Sequence, residues 1–111
     1  MFHYPGSKGD GGTEGAVRVP GIVRWPGRIT AGQVIDEPVS LMDVLPTLAT
    51  LLHVPLDSVV TTGHVVDGVS LVPLLTGQET VSPHEFLFHY CLDSVHAVRY
   101  RPRTGGFALS S

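Results

Sequence analysis

The run from Gly6 to Pro26 constrains the fold of this chain more than any other segment. It opens with Gly6, Gly9, Gly11, Gly12 and Gly15 around Lys8 and Glu14, then turns β-branched and closes on Trp25-Pro26. Glycine relieves the backbone of its usual steric limits, so residues 6–15 read as a loop. Ala16 to Trp25 carries Val17, Val19, Ile22 and Val23, a set suited to a strand. Its apolar positions do not alternate, which predicts burial on both faces, as in a parallel sheet. Pro20 and Gly21 predict a bend or a sheet-edge position, and Pro26-Gly27 a turn.

Punctuation of this kind continues downstream. Thirteen glycines and nine prolines in 111 residues keep regular elements short, and the length suffices for one domain core. Residues 27–39 read as irregular. Leu41, Leu45, Leu48 and Leu52 then form one helical stripe. Ser40 followed by Asp43 predicts a capping box, Pro46 must lie in the first turn, and Pro55 ends the helix. Residues 56–66 read as a connection, Asp67-Gly68 as a turn, and Ser70–Leu75 as a short helical turn carrying Leu71, Leu74 and Leu75. Phe86, Phe88 and Tyr90 alternate with Glu85, Leu87 and His89, which predicts a strand over His84–Tyr90. His96–Tyr100 is its expected partner across a short loop around Leu92–Ser94. Thr104–Ser111 reads as a frayed tail.

Charge excludes one function class. With a net charge of −3 and seven basic residues, the chain has no cluster of the kind that grips nucleic acid. No apolar stretch is long enough to span a membrane, and Met1–Gly6 lacks the basic and apolar regions of a signal peptide. Asparagine is absent, so there is no N-glycosylation acceptor.

Among residues that carry chemistry, Lys8 leads. A compact ammonium among glycines, whose backbone amides can approach the same group, suits a sulfate or phosphate oxyanion. The alternative on residue chemistry alone is a solvated loop lysine. Glu14 and Arg18 read as an ion pair that fixes the loop rather than as catalytic groups. The six histidines, His3, His53, His64, His84, His89 and His96, show no zinc-ligand spacing, and His84 and His89 are expected on opposite sides of one strand. There is no GxSxG elbow, and Cys91, the single cysteine, reads as packed rather than nucleophilic.

Several segments together resemble the sulfatase family. They are Lys8 with Glu14-Gly15, Arg18-Val19-Pro20-Gly21, Arg24-Trp25-Pro26, Ser40-Leu41-Met42-Asp43-Val44-Leu45-Pro46-Thr47, and Asp67-Gly68 with Leu71, Pro73, Leu74 and Leu75. His84-Glu85-Phe86-Leu87-Phe88-His89-Tyr90-Cys91 with Ala97-Val98-Arg99 is similar to the arylsulfatase and steroid sulfatase branch. The resemblance implies an α/β fold: residues 6–78 from the C-terminal part of an alkaline-phosphatase-like domain, residues 79–103 opening a small antiparallel subdomain, and 104–111 a tail. It implies hydrolysis of sulfate esters by a formylglycine made from Cys-x-Pro-x-Arg, with a calcium ion polarising the sulfate. Cys91-Leu92-Asp93-Ser94-Val95 is not that motif, so the residues for formylglycine and calcium are expected outside this chain. The family position that Lys8 matches is the sulfate-binding lysine. The family's setting is the secretory pathway, endoplasmic reticulum or lysosome.

Two readings follow. In one, the chain is part of an arylsulfatase-like hydrolase and supplies a sulfate-stabilising lysine. In the other, it is a catalytically inactive product that at most binds a partner or an anion. Either way these residues alone are expected to turn over no sulfate ester, and a lone strand from a parallel sheet is expected to fold poorly.

Overall fold

The computed structural model describes residue 6, residues 12–61 and 63–102, and the backbone of 108–110. These fall into two compact units, one of Arg24–His84 and one joining the stretch up to Val23 with the chain from Glu85 onward. The Arg24–His84 unit combines short helices with irregular segments, and the other joins one helical turn to the antiparallel strands.

The Arg24–His84 unit is organised around one helix. Ser40 Oγ accepts from the Met42 amide at 3.3 Å, while Asp43 Oδ2 accepts from the Ser40 amide at 2.8 Å. This reciprocal capping box opens a 3-10 turn, Leu41–Asp43, that leads into α2, Val44–Leu51. Pro46 sits in the first turn of α2, where no intrahelical N–H is missed. The helix stops before Pro55. Leu52 caps it, His53 takes the left-handed conformation at φ 54°, and the Val54 amide donates to Ala49 O at 3.0 Å. Pro55 instead precedes α3, Leu56–Val59, within the segment expected to be a plain connection. The expected turn at Ser70–Leu75 forms as α4, Val72–Leu75, and buries Leu74.

The leucine stripe does not face the interior. Leu41 is 78% exposed and Leu52 70%, whereas Pro46, Thr47 and Ala49 are the buried residues of α2. Polar anchoring decides the rotation. Thr47 Oγ1 donates to Asp43 O and accepts from the Leu71 amide at 2.8 Å, so the face carrying Asp43 and Thr47 is held against residues 69–71. The leucines lie on the opposite side of the helix.

In the other unit, α1 is the single turn Glu14–Val17, closed by amides of Ala16 and Val17 on Thr13 O and of Arg18 on Glu14 O. The expected loop therefore ends before Glu14. The strand expected over Ala16–Trp25 is not formed; its first residues are helical and the rest have no ladder partner among the described residues. A strand needs a neighbour for its amides and carbonyls, and Ile22 at 95% exposure has none. The turn at Pro26-Gly27, which begins the Arg24–His84 unit's own chain, forms with Gly27 at φ 81°.

The hairpin matches the alternation closely. β1, Phe86–Cys91, pairs antiparallel with β2, Ser94–Tyr100, across a Leu92-Asp93 turn. Phe86 stands opposite Tyr100, their rings stacked at 4.8 Å between centroids. A bulge between His89 and Tyr90 shifts the register near the turn. The tail is not wholly frayed: β3, Ala108–Ser110, pairs with the free edge of β2. An unpaired strand edge is a template for any adjacent extended segment, which accounts for that pairing. The resulting sheet, order β1-β2-β3, is antiparallel throughout.

Candidate functional site

Lys8 lies outside the described residues, so the site is read from the stem that follows it. Gly12 takes φ 95°, a conformation costly for other residues, and a Cβ there would stand 2.7 Å from Ala97 Cβ on β2. Backbone and sheet are thus in direct contact at Gly12. Glu14 begins α1 two residues later. Its Oε2 is 3.5 Å from Arg18 Nη1, and its Oε1 pairs with Arg99 Nη2 from β2. The Glu14 and Arg99 side chains are about one-fifth exposed and that of Arg18 half exposed. The sheltered pair with Arg99 therefore loses less to solvent than the i,i+4 pair with Arg18.

The same face of the hairpin carries Leu87, His89, Cys91, Ala97 and Arg99. His89 Nε2 is sealed from solvent with no hydrogen-bond partner. Cys91 is half-buried and free. His84 precedes β1, so the expectation that it shares a strand with His89 does not hold.

His84 belongs instead to a second cluster, in the Arg24–His84 unit. Asp43 is fully buried; its Oδ1 accepts from the Val69 amide at 2.9 Å and from His84 Nε2 at 2.7 Å, and its Oδ2 from the Ser40 amide. Three donors converge on one carboxylate, where the Ser40–Asp43 spacing alone predicts only a capping role. Gly68 makes the approach feasible, because any Cβ there would collide with the Met42 carbonyl. Nearby, Glu37 Oε2 accepts from the Ser82 amide at 2.7 Å, and Ser82 Oγ donates to Pro38 O. These contacts tie residues 37–43, 67–71 and 82–84 together.

Neither cluster fits a calcium ion. The oxygens of Asp43 are occupied by N–H donors, which a cation would have to displace, and among the described residues no three His, Cys, Asp or Glu side chains converge. An open hollow of about 360 Å³ in the same unit is lined by Asp36, Glu37 and Glu79 among others, the wrong charge for an oxyanion.

Arg99 is the residue that sequence reasoning passed over. It stood in the Ala97-Val98-Arg99 motif, with no spacing rule linking it to Glu14. Its alternation onto the same face as Ala97 is the one signal that could have pointed to it.

Comparison with known proteins gives these contacts a context. Residues 13–105 match the family profile described as N-sulphoglucosamine sulphohydrolase, C-terminal. The chain is 54% identical to human arylsulfatase D over 105 residues, 93% of this chain and 17% of that protein. It is 50% identical to human steryl-sulfatase over 100 residues, 90% of this chain and 16% of that protein. To human arylsulfatase A it is 43% identical over 96 residues. The chain thus spans about one-sixth of the length of these relatives.

Proposed function

Since the chain belongs to the sulfatase family, in its C-terminal region, we propose that it serves as part of a sulfuric ester hydrolase of the arylsulfatase and steryl-sulfatase kind. In this reading residues 6–78 complete an alkaline-phosphatase-like α/β domain and residues 79–103 begin the C-terminal antiparallel subdomain. Lys8 contributes one positive charge to a sulfate ester. The substrate class is a small-molecule sulfate ester, and the setting that of the family, the secretory pathway or lysosome.

The observation that carries the proposal is the match over residues 13–105. Its chemistry is electrostatic. A sulfate ester gains negative charge on its leaving oxygen as the S–O bond breaks, and a preorganised ammonium beside the sulfate stabilises that state more than the ground state. Cys-x-Pro-x-Arg does not occur in these 111 residues, so the nucleophile is not drawn from them. Glu14 and Arg18 are structural in this reading.

The test places this chain in human steryl-sulfatase, in exchange for the segment it aligns with, and measures turnover of a chromogenic aryl sulfate. Lys8→Ala is expected to lower kcat by roughly 100-fold, the cost of losing one oxyanion donor. Unchanged kcat in Lys8→Ala would remove Lys8 from the site.

A further inference from the structure

We propose that the exposed leucine stripe of α2 is a docking face for the further polypeptide that a sulfatase carries outside the matched region. The inference rests on the reading of this chain as part of a sulfuric ester hydrolase and deepens it by naming a surface through which it joins the rest.

The helix is turned the wrong way for a unit that stands alone. Leu41, Val44, Leu45, Leu48 and Leu52 follow the i, i+3, i+4, i+7 spacing that a helix normally turns to its own core. All five are 44–78% exposed, while Pro46, Thr47 and Ala49 behind them are buried. The helix cannot roll to hide the stripe. The capping box of Ser40 and Asp43 fixes its start, and the bonds of Asp43 to Val69 N and His84 and of Thr47 to Leu71 N fix its rotation. The face is therefore preformed, and a partner that covers it has little ordering to impose.

Its chemistry selects the occupant. From Leu41 to Val54 the only ionisable side chains are Asp43, which is buried, and His53. A reversible interface sets a polar rim around its apolar centre, whereas a permanent one resembles a domain core cut in half. The stripe is of the second kind. Size then separates a second copy from a segment of the same polypeptide. A stable interface between separate proteins takes about 20–30 residues a side. The stripe offers five, on a helix of eight residues about 12 Å long. A second copy associates through it only weakly. A segment already tethered has little translational and rotational freedom left to lose, so a patch of this size suffices. The relatives carry such polypeptide. Human arylsulfatase D matches 93% of this chain with 17% of its own length, so more than four-fifths of that protein lies outside the match. The occupant is an apolar, uncharged surface of that remainder.

The test uses this chain set into human steryl-sulfatase in place of the segment it aligns with. Side-chain oxidation by hydroxyl radicals is read peptide by peptide, each rate against that of the same protein unfolded in urea. Left as exposed as they are here, at 44–50%, Leu45 and Leu48 would be slowed only about twofold. Covered by the remainder, they are expected to be slowed about tenfold or more, as core side chains are. Leu45→Gln with Leu48→Gln is expected to lower the urea midpoint of the chimera while leaving Val69 protection in the 111-residue chain intact. Leu48→Met, which keeps the volume, is expected to change neither. Twofold slowing in a folded chimera would overturn the proposal. So would a chimera whose other peptides show that it has not folded, because the stripe would then not fit the surface assigned to it. Loss of Val69 protection in the double variant would overturn it too, since the stripe would then support its own unit. A defined dimer of the 111-residue chain in which both leucines are slowed as strongly would give the face to a second copy instead. Protected leucines in a folded chimera that hydrolyses no aryl sulfate would sink the hydrolase reading and leave the docking face standing; turnover with unprotected leucines would do the reverse.

Discussion

Replacing Asp43 by alanine tests the central energetic claim about the Arg24–His84 unit. The side chain is fully buried and accepts from Ser40 N, Val69 N and His84 Nε2 at 2.7–2.9 Å. Alanine leaves all three donors without a partner. A buried donor left unsatisfied costs about 1–3 kcal/mol, and the His84 side chain, 9% exposed, can recover part of its share from water. A loss of about 4 kcal/mol is the expected sum. Even a complete native domain is stable by only about 5–15 kcal/mol, so the change is a large fraction of whatever stability this unit has. Asp43→Asn separates shape from charge. Its amide oxygen still accepts from Val69 or His84, but its NH2 meets the Ser40 amide donor to donor, so about half the loss is expected.

Exchange of the Val69 amide reads the effect directly, because that N–H is bonded to the altered side chain. At about 1.4 kcal/mol per decade, Asp43→Ala should lower Val69 protection by nearly three decades or to the unprotected rate, whichever is reached first. Asp43→Asn should fall between. Val69 protection within tenfold of the unmodified chain in Asp43→Ala would refute the claim that this carboxylate holds residues 40, 69 and 84 together.

Other expectations follow from neighbouring contacts. Gly68→Ala forces a Cβ into the Met42 carbonyl and should lose Val69 protection as fully as Asp43→Ala, even though it touches no polar side chain; normal protection would mean the segment yields easily. Thr47→Val keeps the volume but removes the acceptor for Leu71 N, at a cost of about 1–2 kcal/mol in urea unfolding, and a change below about 0.3 kcal/mol would deny that bond a role. The exposed stripe Leu41, Leu45, Leu48 and Leu52 should drive self-association, which Leu45→Gln with Leu48→Gln reduces in sedimentation without lowering Val69 protection. Finally, the purified chain should hydrolyse no chromogenic aryl sulfate, because stabilising charge without a nucleophile gives little rate; turnover that Lys8→Ala abolishes would contradict this.

What the sequence made legible was local. Ser40 and Asp43 are three residues apart, so the capping box could be read from spacing, and the alternation of Phe86, Phe88 and Tyr90 could be read as a strand because its partner follows after a two-residue turn. What escaped depends on distant residues. Nothing local announces that Asp43 meets Val69 and His84, or that Glu14 meets Arg99. The β-branched run Ala16–Trp25 expresses a preference for a pleated, half-buried surface, and that preference has no effect without a neighbouring strand. The leucine period was read correctly as a stripe, but a period fixes which residues share a face and not which way the face points. Polar contacts from Asp43 and Thr47 chose the opposite side.

That choice has a general consequence for how substitutions in this chain act. The polar clusters close on themselves: the oxygens of Asp43, the hydroxyl of Thr47 and the carboxylate of Glu14 all find partners within their own unit. The apolar faces do not close, since Leu45, Leu48, Phe86 and Phe88 are each 44–53% exposed, and besides two prolines, Pro38 and Pro46, the buried apolar residues among those described are Ala49 and Leu74. Directional contacts therefore set the conformation of each unit, while the hydrophobic term, normally the larger, is left in part unspent. A polar substitution should show first as a loss of local protection. An apolar one should show first as a change in association, with local protection intact. The two classes of variant, measured by exchange and by sedimentation, ought to separate cleanly on this chain, and a leucine-stripe variant that collapses Val69 protection would mean that the stripe supports the fold after all.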